Sequence, residues 1–117
     1  MKLHRRERIS QLVRDIMSKL LIRELEFPMG TLVTITEVDV SEDLEHAKVR
    51  VSVLPAAQEE KVISVLNKFR GHLQGKLGST LNIRPMPQIL FSVDHGLENA
   101  AFVEKNLMGI DLGANNE

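Results

Sequence analysis

The sequence predicts a single α+β domain with its elements in the order α-β-β-α-α-β. Apolar residues recur at three- and four-residue steps near the N-terminus and again from Val62 to Leu81, as on one face of a helix. They alternate at two-residue steps from Ala47 to Val53 and from Ile89 to Val93, as in strands with one buried face. Pro28, Pro55, Pro85 and Pro87 punctuate these runs. At 117 residues, 43% hydrophobic and 26% charged, the chain has room for one core and the balance of a folded domain.

The first helix is carried by Ile9, Leu12, Val13, Ile16, Leu20 and Leu21. It is expected to stop near Glu26, because Pro28 disfavours helical geometry at Phe27 and Gly30 follows. Thr31 to Val40 is rich in β-branched residues and reads as a strand. Its alternation slips phase, with Val33 and Ile35 on one parity and Val38 and Val40 on the other. A bulge near Thr36 and Glu37 reconciles them, and so does burial of both faces. Ser41, Glu42 and Asp43 are turn material. Ala47, Val49, Val51 and Val53 then alternate with Lys48, Arg50 and Ser52, placing a second strand close enough to form an antiparallel hairpin.

Pro55 ends that strand, and Val62, Val65, Leu66, Phe69, Leu73, Leu77 and Leu81 follow at helical spacing. Gly71, Gly75 and Gly78 interrupt the run, each costing helix stability on the order of 1 kcal/mol relative to Ala. The expectation is two helices, about 57–70 and 72–81, with a kink centred on Gly71 and the Phe69 ring turned inward toward the sheet. Gln88 to Val93 supplies the third strand, and Ala100 to Met108 a short final helix. The domain is expected to span 1–108, with 109–117 as a frayed tail.

Composition excludes several chemistries. With no cysteine, disulfides, thiolate metal sites and cysteine nucleophiles are absent. His4, His46, His72 and His95 show no metalloprotease spacing, and the Asp94–His95 pair implies no activated nucleophile. No metal site, cofactor, small-molecule substrate or catalytic residue is expected. The basic N-terminus is not followed by an unbroken apolar run, so neither a secretory signal nor a membrane span is expected, and a cytoplasmic monomer is the expectation. The net charge of −1 hides a segregation. Residues 1–23 hold seven Lys or Arg against two acids, whereas 24–60 hold nine acids against two bases. Residues 61–88 hold five bases and no acid. Folding that joins the two basic segments would give the molecule a basic face.

The order α-β-β-α-α-β is that of the type II KH domain, in which RNA lies along a groove between a helix–helix junction and the sheet. The residues extend this. Glu24-Leu25-Glu26-Phe27-Pro28-Met29-Gly30, the long stretch from Val33 to Leu54, and Leu81-Asn82-Ile83-Arg84-Pro85-Met86-Pro87-Gln88-Ile89-Leu90-Phe91 together resemble the ribosome-binding factor A family from roughly residue 5 to residue 107. The most specific part is Val40-Ser41-Glu42-Asp43-Leu44-Glu45-His46-Ala47-Lys48-Val49.

The resemblance implies a KH-like fold with a three-stranded sheet, helices on one face, and a kinked Ala-x-Gly helix pair in place of the usual Gly-x-x-Gly loop. Here that position reads Phe69-Arg70-Gly71, and Gln74 stands where the family often has Arg. The turn before the first strand is one residue shorter than usual. Asp94 matches a family Asp, but Gly96 replaces the usual Ser. The implied function is non-catalytic: binding to the immature small ribosomal subunit and its rRNA, support of late rRNA maturation, particularly in the cold, and departure on completion. The alternative is a KH-like RNA-binding module or a protein adaptor without ribosome specificity, the adaptor using the acidic run from Glu37 to Glu45.

An RNA role needs phosphate contacts, for which Arg5, Arg6, Arg8, Lys68, Arg70, Lys76 and Arg84 are the candidates. Arg70 and Lys76 flank the expected kink, where bare backbone at Gly71 and near Gly75 would let phosphates approach. Arg5, Arg6 and Arg8 precede the apolar stripe and are expected to be mobile, adding affinity without holding the core. With no Tyr or Trp, and with Phe residues that read as core, base stacking is not expected.

Overall fold

In the computed structural model, which describes residues 2–95 with side chains from Arg5 onward, α1 spans Lys2–Glu24, β1 Leu32–Val40 and β2 His46–Leu54. A short 3₁₀ turn, Ala56–Gln58, leads into α2, Glu59–Lys68. Then come α3, Arg70–Leu81, and β3, Gln88–Val93. The element order and strand positions match the sequence reading. The expected helix at 100–108 and the tail at 109–117 lie outside the described residues.

The strands form one sheet in the order β1-β2-β3, with β1 antiparallel and β3 parallel to β2. The phase slip in β1 is a bulge. Ile35 pairs with Val51 and Glu37 with Arg50, leaving Thr36 as the extra residue. That single insertion puts Ile35, Val38 and Val40 on one face, where all three are buried. Thr36 Oγ1 donates to the Asp94 carboxylate at 2.6 Å, so the bulge is tied to the end of β3.

Among the described residues, only one sheet face is covered by helices. Ala47, Val49, Val51, Val53 and Ile89 join the β1 residues against Val13, Met17 and Leu20 of α1, Val62 and Leu66 of α2, and Leu73 and Leu77 of α3. The opposite face carries Thr34, Glu37, Asp39, Lys48 and Leu90, all exposed. Within α1 the stripe differs from the expected one by a few positions. Met17 is fully buried, whereas Leu12 is 40% exposed.

Two expectations are corrected here. The helix pair does not bend at Gly71, which lies inside α3. It breaks at Phe69, whose φ of −100° and ψ of 10° leave the helical region. The Phe69 ring is not core either and remains 37% exposed. In an unbroken helix Phe69 would share a stripe with Leu66 and Leu73. The break itself turns it outward while those two leucines stay buried.

Candidate nucleic-acid interface

α1 and α3 run antiparallel, pinned at both ends. His72 Nε2, in the first turn of α3, donates to Glu24 Oε1 at 2.8 Å, at the last residue of α1. This bond, aided by the Lys76 charge, holds the Glu24 carboxyl below its usual range. At the other end Arg5 reaches the Arg84 carbonyl at 3.4 Å, just beyond α3. The bases thus fall along the α1–α3 pair and the segments that lead into and out of α3. Arg5 and Arg84 mark one end and Lys68 and Arg70 the other, with Lys76 between them on an α3 about 18 Å long. Arg8, three residues after Arg5, lies on the same side of α1. Folding brings the two basic segments of the sequence together.

Arg6 also bonds within the fold. It lies within α1, half-buried, and its Nε donates to the Val40 carbonyl at 2.6 Å. The expectation that Arg5, Arg6 and Arg8 take no part in holding the fold is corrected for Arg6. All three are helical, because Arg, Lys, Leu and Glu are good helix formers, and Arg6 ties α1 to the end of β1. Nothing in the local sequence points to a partner 34 residues away.

The helix junction has the open backbone expected of it. Lys68, Gly71, Gly75 and Lys76 are exposed and Arg70 is half-buried. A β-carbon built on Gly71 or Gly75 would meet nothing within 4 Å, and neither residue has a positive φ. The fold itself does not require glycine at either place. Gly71→Ala and Gly75→Ala should each stabilise the protein by up to about 1 kcal/mol through helix propensity, read as a higher melting temperature. If phosphates lie against this backbone, the same substitutions should weaken RNA binding.

Gln74 has a role that the sequence did not reveal. Its side-chain amide donates to the Pro87 carbonyl at 2.8 Å and accepts from the Ile89 N–H at 2.7 Å, joining α3 to the start of β3. Gln74→Ala would orphan two partly buried backbone groups and should destabilise the fold by roughly 1–3 kcal/mol in denaturant titration. Because both partners are backbone atoms, no residue pattern advertises them.

The acidic hairpin turn folds on itself. The Ser41 hydroxyl donates to Asp43 at 2.6 Å, Asp43 accepts the Glu45 N–H, and Ser41 accepts the His46 N–H. The Ser41 bond leads in holding the Asp43 carboxyl below its usual range. Asp43, Glu45 and His46 bring ligand-type atoms within 4.8 Å of one another, all exposed, with Asp43 already engaged in the turn. Asp94 and His95 are occupied as well, with Thr36 and with Glu59 at 3.2 Å.

A family model described as ribosome-binding factor A matches residues 5–107. The chain belongs to the ribosome-binding factor A family. A member from Natranaerobius thermophilus is 35% identical over 113 residues, covering 96% of this chain and 86% of the relative. The crystal structure of ribosome-binding factor A from Thermus thermophilus superposes with a TM-score of 0.59 at 19% identity, over 80% of this chain and 96% of that one. A homology model of the Thermus thermophilus factor, fitted into a cryo-EM map of a 30S complex, gives a TM-score of 0.57 at 23% identity, covering 71% and 92%. The family's KH-like fold is the fold found here. In this chain the α2–α3 pair breaks over one residue, Phe69.

Proposed function

We propose that this protein binds the immature small ribosomal subunit and supports late maturation of its rRNA, contacting that RNA through the α2–α3 junction and the adjoining start of α1. The observation that carries the reading is the family match across residues 5–107. The junction supports it physically, with Lys68, Lys76 and Arg84 exposed and helix backbone bare at Gly71 and Gly75. Arg5, Arg6, Arg8 and Arg70 complete the contact set. The Thermus thermophilus factor of like fold has been placed in a 30S complex, which is consistent with the same target.

The reading extends to a non-catalytic protein that needs no metal or cofactor, acts as a cytoplasmic monomer, and uses residues 1–108 as one RNA-binding unit. Among the described residues no helix is long and apolar enough to cross a membrane. The test is co-sedimentation with immature and with mature small subunits across a salt titration. Preferential, salt-sensitive binding to immature subunits is expected. Equal binding to both, or binding insensitive to salt, would favour a protein adaptor instead.

A further inference from the structure

Among the described residues, Phe69 is the one phenylalanine that is exposed, since Phe27 and Phe91 pack against the core. A lone apolar side chain in water is ordinary and needs no explanation. Met29 and Ile22 are also fully or largely exposed, Ile22 in the last turn of α1 and Met29 in the segment after it, at the end of the helix pair where Glu24 meets His72. Phe69 differs in where it stands. It occupies the break between α2 and α3, between two bases of the junction, with the open backbone of Gly71 two residues on. The Lys68 ammonium lies 5.6 Å from the ring centroid, within cation–π range, so the ring is held at the surface with a cation over it.

An exposed ring bordered by cations and bare backbone fits an unpaired nucleotide. Proteins that read single-stranded RNA stack splayed bases on aromatic rings while cations take the neighbouring phosphates. We propose that Phe69 is a stacking platform for one unpaired base of the ribosomal RNA. This rests on reading the junction as the RNA-facing site, and it adds to that reading a preference for single-stranded over duplex RNA. On binding, the base takes the ring face that Lys68 covers in the free protein, and the Lys68 ammonium moves to the adjoining phosphate.

The test uses the full chain with two probes, a short single-stranded oligoadenylate and a duplex RNA of matched length. Phe69→Leu keeps most of the apolar volume and removes the aromatic face. It should weaken oligoadenylate binding roughly 5- to 150-fold, as expected for one lost base–aromatic stack, and leave duplex binding unchanged. Phe69→Trp introduces a lone tryptophan, since the chain has none, and its emission should be quenched by oligoadenylate and not by the duplex. Unchanged oligoadenylate affinity in Phe69→Leu, or an unquenched tryptophan, would overturn the stacking role. So would a Phe69→Leu variant that loses intact small subunits but neither RNA probe, because that pattern marks a protein contact. A Lys68→Ala, Arg70→Ala, Lys76→Ala triple variant separates the two levels. If it loses both probes while Phe69→Leu loses neither, stacking fails and the RNA-facing junction stands. If it loses neither, the junction reading fails as well.

Discussion

Replacing Lys68, Arg70 and Lys76 together with Ala should sharply lower affinity for immature small subunits and flatten its salt dependence. Each phosphate contact releases condensed counterions, so the logarithmic salt slope should fall by about 1 per lost contact, or about 3 in all. Lys68 and Lys76 are exposed, so their removal disturbs little packing. Arg70 is half-buried, and the melting temperature of the triple variant should be measured alongside. A folded triple variant with an unchanged slope would move the RNA contact away from the α2–α3 junction.

The second large effect is on stability. Leu73→Ala should destabilise the protein by roughly 2–5 kcal/mol, lowering the melting temperature on the order of ten degrees or more. Leu73 is fully buried, one turn beyond the break and one residue from the His72–Glu24 contact. Losing it opens a cavity where α3 meets the rest of the core. Phe69→Ala, four residues earlier and already 37% exposed, should cost distinctly less. The comparison between them measures how completely the break has taken Phe69 out of the interior. Equal losses would mean that the ring is core after all.

That comparison also shows where the sequence was legible. Strands that bury one face announce themselves by alternation. The insertion at Thr36 left a visible phase slip, because it changes the parity of every apolar residue that follows it, but burial of both faces fitted that slip equally well until the strand register decided for the bulge. The helix break left no such trace. Leu66, Phe69, Leu73 and Leu77 keep helical spacing throughout, and the glycines drew attention to Gly71. The actual break at Phe69 is one residue wide and nearly preserves the phase on either side. The basic candidates followed a similar rule. Charge segregation identified both segments, and folding joined them, but Arg6 gave no sign of its place in the fold. Its half-buried bond to Val40 depends on where β1 ends relative to α1, which is a tertiary fact. Gln74 looked like a lost cation until its strand partners were seen.

The Arg6 and Gln74 bonds have a shared consequence for how the molecule behaves in company. β1 and β3 are the outer strands of the sheet, and an outer strand with an unbroken row of free amides and carbonyls invites another chain to pair with it. Each row is interrupted here. On β1 the bulge at Thr36 breaks the register, and Arg6 occupies the Val40 carbonyl. On β3 Gln74 occupies the Ile89 amide and the carbonyl of Pro87 just before it. Among the described residues, the same side chains that fix the helices in place also shorten the rows of open backbone groups on both rims.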